Sequence, residues 1–90
     1  MIYDKFKAKK HSNEVEVIQF HMHSDRSYRK CTEFVGKFWK GIVDEQPSVL
    51  TPLGYIDVDH EDYIIKIREG VFYVCSPYVF KQTYEENKSM

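Results

Sequence analysis

The sequence predicts an α+β domain, with one main helix packed on a mostly antiparallel, bent β-sheet and a short C-terminal helical cap. Three observations predict it. Residues 62–68, Asp-Tyr-Ile-Ile-Lys-Ile-Arg, and 71–75, Val-Phe-Tyr-Val-Cys, are β-rich apolar runs on either side of Glu69-Gly70, which is a hairpin signal. Tyr28, Cys31, Phe34 and Val35 recur at i, i+3, i+6 and i+7, the spacing of a single apolar stripe on a helix. The other apolar runs are short and divided by turn residues, which suits a meander of strands.

In chain order, residues 1–13 hold Lys5, Lys7, Lys9 and Lys10 around Tyr3 and Phe6. They show little periodicity and read as a basic, solvated lead-in arm to the first strand. Residues 14–23 are rich in β-formers. Val15 and Val17 share one face, and Ile18, Phe20 and Met22 the other. Such a phase change implies a strand covered on both faces, or a bulge at Val17-Ile18. Ser24 or Asp25 caps the helix, whose outer face carries Arg26, Arg29, Lys30 and Glu33. Gly36 stands where a terminating glycine belongs.

Residues 37–43 read as a second strand, with Phe38, Trp39, Ile42 and Val43 as its apolar content. Asp44-Glu45-Gln46-Pro47 turns the chain, Ser48-Val49-Leu50 begins a third strand, and Thr51-Pro52-Leu53-Gly54 turns it again. Tyr55-Ile56-Asp57-Val58-Asp59 alternates, which places Ile56 and Val58 inward. His60-Glu61 leads into the hairpin. Ser76-Pro77 opens the terminal cap, serine as N-cap and proline at the first helical position. Residues 85–90 are polar and read as a frayed tail. No repeat, linker or low-complexity segment divides the chain, so residues 1–90 form one domain.

Ninety residues with 42% hydrophobic and 16% aromatic content can build one small core. Seven Tyr, six Phe and one Trp exceed what that core must hold, so some should lie at the surface as contact anchors. A net charge of −1 offers no bulk attraction to nucleic acid or membrane. The charge is polarised, however. Residues 1–40 carry nine Lys or Arg against five acids (+4), and residues 41–90 carry four against nine (−5). Such polarity steers a charged partner or favours homo-oligomers stacked head to tail. A charged opening stretch, no apolar run near the roughly 20 residues of a membrane span, and two cysteines predict a cytoplasmic chain with reduced thiols.

No chemistry-bearing constellation emerges, so no catalytic residue, cofactor or metal is expected. Cys31 lies in the apolar stripe and reads as a small core residue. Cys75 has no histidine beside it in sequence. His21-Met22-His23 sets two imidazoles on one strand face, with His60, Asp59 or His11 as candidate third ligands. Without a cysteine partner or a second matched pair, they read as exposed histidines at a strand end. Asp57, Asp59, Glu61 and Asp62 crowd one turn and read as solvated, since the spacing matches no calcium loop. Gly36, Gly41, Gly54 and Gly70 are too scattered for a nucleotide loop.

Several stretches carry a family resemblance. Asp62-Tyr63-Ile64-Ile65-Lys66, Gly70, Phe72-Tyr73, Cys75, Pro77, Phe80 and Thr83-Tyr84-Glu85 follow the C-terminal signature of a widespread group of short, uncharacterised bacteriophage and prophage proteins, which this sequence resembles. Lys9-Lys10 and Val15-Glu16-Val17-Ile18-Gln19-Phe20 are similar to that group's opening strand. Cys31 to Gly36 and Thr51-Pro52-Leu53-Gly54 also fit its order. The match departs at His60-Glu61, Ile67, Val74, Ser76 and Tyr78. The resemblance implies a phage or prophage origin and brings no catalytic residue.

The function expected is that of a non-catalytic phage accessory protein that binds a host protein, such as a defence or replication factor. Tyr63, Tyr73 and Tyr78, near Lys66 and Arg68, form the expected interaction patch. The alternatives are a small-ligand or nucleotide-sequestering protein, with a Tyr- and His-lined pocket on an uncovered sheet face, and a minor virion component.

Overall fold

The computed structural model describes residues 4–8, 14–42 and 45–86. The expectations for residues 1–3, 9–13, 43–44 and 87–90 lie outside that set. A five-stranded antiparallel sheet runs in the order β7-β6-β2-β1-β8. Its strands are β1 (Asp4–Ala8), β2 (Glu14–Gln19), β6 (Tyr63–Arg68), β7 (Val71–Cys75) and β8 (Tyr84–Glu86). A second, three-stranded sheet runs β3 (Trp39–Lys40), β4 (Ser48–Thr51), β5 (Gly54–Asp57). Among the described residues two α-helices complete the fold, α1 (Asp25–Val35) and α2 (Pro77–Thr83).

The predicted α+β architecture is present, but the strands divide between two sheets instead of forming one bent sheet. The break falls in the turn that joins β5 to β6. There Glu61 adopts φ 71° and donates its N–H to the Phe20 carbonyl (2.7 Å), while Phe20 N–H is given to the Asp62 carbonyl (2.9 Å). These bonds bind the turn to the end of β2, so the β5 ladder cannot run on into β6.

The helix boundaries follow their local signals. Ser24 is the N-cap of α1 and its hydroxyl accepts from Ser27 N–H (3.2 Å). Tyr28, Cys31, Phe34 and Val35 form its buried face. Gly36 ends the helix at φ 67° and leads into one 3-10 turn, Gly36–Phe38. The predicted second strand therefore shrinks to Trp39–Lys40. It stops at Gly41, where an added Cβ would lie 2.8 Å from Pro47 Cβ, so the backbone there is pressed against Pro47.

Alternation along the central strands builds two cores. On one face, Phe20 and Ile64 meet Tyr28, Cys31 and Phe34 of α1 together with Val49 of β4. On the other, Val15, Val17 and Ile65 meet Phe80 of α2. The strand β2 is thus covered on both faces, as its phase change predicts, and its pairing with β6 shows no register shift. One edge of the five-stranded sheet is built from segments read from sequence as unstructured. β1 lies between β2 and β8, with Lys5 opposite Glu16 and Lys7 opposite both Glu14 and Glu85. The lead-in arm therefore contains a strand. Glu85 and Glu86 of the expected tail belong to β8, which α2 delivers from β7 across the sheet.

Candidate interaction surface

The surface with most to offer a partner is built around α2. Ser76 caps this helix, its hydroxyl accepting from Val79 N–H (3.3 Å), and Pro77 takes the first turn. The cap aims Phe80 down between Tyr63 and Tyr84. Phe80 stacks on Tyr63 at 3.9 Å between ring centres and 11° between planes, and on Tyr84 at 5.3 Å and 24°. Burial raises the Tyr84 phenol above the ordinary tyrosine value, and the nearby Cys75 thiol and Tyr73 phenol add to the shift. Over this floor, Tyr78 is 71% exposed and Val79 48%, while Tyr73 on β7 is 37% exposed.

The five residues expected as a patch divide between the sheet faces. Tyr63 and Tyr73 share the α2 face, Tyr63 as half-buried flooring and Tyr73 at the strand edge. A register shift between Lys66 and Arg68 decides the other two. Lys66 pairs with Phe72, whereas Arg68 pairs with Val71. The irregularity leaves Ile67 unpaired and places Arg68 on the face of Val71 and Tyr73. Lys66 stays on the opposite face, its ammonium 3.0 Å from the Glu69 carboxylate. Tyr63, Arg68, Tyr73 and Tyr78 are thus on the α2 side, and Lys66 is not. The alternation of the run hides this division, because only the pairing reveals the extra residue.

A second exposed feature escaped the sequence reading. Ile56, expected inward beside Val58, is 37% exposed, with Tyr55 at 56% and Leu53 at 82%. Val58 is fully buried. The cause is position: β5 is the outer strand of the small sheet, and no described strand pairs beyond it. Tyr55, an apolar-bodied residue on the polar side of the alternation, was the available signal.

The residues considered for chemistry are placed as follows. His21 and His23 lie past the end of β2, in the turn before α1, and not on a strand face; His23 has φ 62°. His21 and His60 meet edge to face at 5.8 Å, and His60 Nδ1 accepts Met22 N–H (3.0 Å). Among the described residues no three His, Cys, Asp or Glu side chains gather as metal ligands. Asp57, Asp59 and Glu61 are exposed. Asp62 is half-buried and accepts Asp59 N–H (2.9 Å). Burial lifts its carboxyl above the ordinary range; the bond from Asp59 opposes the shift and the Asp59 charge adds to it. Burial pushes the Cys31 thiol to about 12 and the Cys75 thiol to about 11, so neither presents a thiolate near neutral pH.

Clefts among the described residues are open to solvent. One of about 360 Å³ is lined by Glu14, Glu16, Lys66, Arg68 and Glu69 with Val15 and Ile67, and another of about 270 Å³ by Asp25, Tyr28, Arg29, Thr32 and Gly41. Neither combines tyrosine with histidine. Among the described residues no helix is long and apolar enough to cross a membrane. Comparison with protein families, curated proteins and solved structures finds no match to this chain.

Proposed function

We propose that this chain is a non-catalytic binding protein, a phage or prophage accessory factor that docks on a host protein through the α2 side of its larger sheet. The observation that carries the reading is the outward display of Tyr78, Val79 and Tyr73 above the stacked rings of Tyr63, Phe80 and Tyr84. Stacking holds the base of the surface rigid, so little conformational entropy is lost when it docks. Tyrosines in such a setting supply large contact area with few rotatable bonds. Arg68 contributes a charge on the same face. The phage origin rests on the sequence resemblance alone.

A small-ligand role is less favoured. It needs a pocket lined by tyrosine and histidine; both faces of the larger sheet carry a hydrophobic core, and neither described cleft combines the two residue types.

The test is co-purification of tagged protein from bacterial cells, with Tyr78→Asp and Arg68→Glu as paired controls. One partner should be recovered in stoichiometric amount by the parent chain and lost from both variants, whose melting should be unchanged. Recovery of the same partner by all three chains, or of none by the parent, would overturn the reading.

A further inference from the structure

We propose that His60 is an acid-sensitive clasp, which fastens the turn before β6 to the segment before α1 while its imidazole is neutral and releases it on protonation. The clasp completes a ladder. Phe20, the residue after β2, exchanges both backbone bonds with the turn: its N–H goes to the Asp62 carbonyl (2.9 Å), and its carbonyl accepts Glu61 N–H (2.7 Å). Gln19 Nε2 donates to the Glu61 carbonyl (3.0 Å). The next N–H in that row, two residues on, belongs to Met22. It finds an imidazole in place of a carbonyl, at 3.0 Å from His60 Nδ1.

An imidazole nitrogen accepts a hydrogen bond only when it carries no proton of its own. The bond therefore requires a neutral His60 with its proton on Nε2. Protonation puts an N–H at Nδ1, facing the Met22 N–H, and two donors repel. Backbone strain beside the contact favours opening once the bond is lost. His23, next to Met22, holds φ 62°, and Glu61, next to His60, holds φ 71°. Both lie in the left-handed region that residues with a side chain seldom adopt.

Charge works in the same direction. His21 meets His60 edge to face at 5.8 Å, and His21 and His23 precede α1. Three of the chain's four histidines thus gather at the N-terminal end of that helix. Their imidazolium forms repel one another and the positive end of the helix dipole. Nearby acids oppose this. The first turn of α1 brings Asp25 together with Arg26, Glu45 stands before β4, and Asp59, Glu61 and Asp62 flank His60 on its own turn. Gln46 Nε2 already donates to Asp59 Oδ1, and Asp62 Oδ2 already accepts Asp59 N–H (2.9 Å). An ion pair between His60 and any of these carboxylates does not restore the acceptor that Met22 N–H has lost.

Amide exchange followed by NMR, with rates corrected for the intrinsic pH dependence of exchange, tests the clasp. Protection of Met22 should fall at least about tenfold between about pH 8 and about pH 5, where histidine changes charge, while Phe20 stays protected. His60→Asn keeps an acceptor near the Nδ1 position and cannot titrate, so it should hold Met22 protected throughout. His60→Ala should leave Met22 unprotected at both ends. At about pH 8 the nitrogen resonances of His60 in the parent should report a bare Nδ1 and a protonated Nε2. Equal protection of Met22 at both ends, or a proton on Nδ1 at the higher pH, would overturn the proposal. So would a loss shared by Phe20, which would mean general unfolding, or an equal loss in His60→Asn, which would mean that another group titrates. The test needs no partner, so it and the docking test succeed or fail separately.

Discussion

The β4–β5 and β6–β7 hairpins use the same local device and end in opposite environments. Each joins apolar strands through a two-residue loop, Pro52-Leu53 in one and Glu69-Gly70 in the other, with a glycine at positive φ beside or within it. In β6–β7, Ile64, Ile65 and Phe72 are buried, because α1 with the small sheet lies over one face and α2 over the other. In β4–β5 only the inner strand is covered: Val49 is fully buried, and Tyr55 and Ile56 on the outer strand are exposed. The comparison teaches that the hairpin is a local decision and that its burial is not. An apolar strand left at an edge is a liability unless something pairs with it.

The largest expected difference between the hairpins is in stability. Ile65→Ala should cost about 2–5 kcal/mol by denaturant unfolding, because it leaves a cavity between β2, β6 and α2. Ile56→Ala, partly exposed at a rim, should cost less than about 1 kcal/mol. Equal losses at the two sites would break the comparison.

Alkaline pH should separate the regions next. Cys75 of β7 and Cys31 of α1 keep their protons to about 11 and about 12 in the fold, against an ordinary value of 9.0 in the unfolded chain. The unfolded chain therefore releases protons first, and stability should fall as pH rises from about 9 to about 12. Replacing both thiols with alanine should reduce that slope, and native thiols should alkylate far more slowly than denatured ones. An unchanged slope in the double variant would mean that other groups carry the alkaline loss.

The smallest difference between the hairpins is expected at their glycines. Gly54 (φ 103°) and Gly70 (φ 79°) each sit where an L side chain is strained, and an added Cβ would meet nothing closer than 3.8 Å. Gly54→Ala and Gly70→Ala should therefore each cost about 1–2 kcal/mol from backbone strain alone. A much larger loss at Gly70, beside Phe38, would show that packing enters there too.

Caps, turns and periodicity were legible from residues that touch along the chain. Ser24 and Ser76 start their helices, the Tyr28 to Val35 stripe picks the buried face, and Glu69-Gly70 closes its hairpin, each through interactions a few residues apart. The tyrosines were legible as a surplus but not as an arrangement. Their stacking on Phe80 depends on where α2 crosses the sheet, and the place of Arg68 depends on one unpaired residue opposite β7.

The amino-acid sequence by itself determined the α+β class, the placing of both helices and the β6–β7 hairpin, and it narrowed β2 to two-faced burial or a bulge. Only the tertiary structure decided that β1 and β8 are strands, that the strands split into two sheets, and that β5 is the outer one. The physical reason is that caps and turns are satisfied by neighbours in the chain. A strand's place in a sheet depends on hydrogen-bond partners tens of residues away, and nothing local distinguishes an edge from a centre.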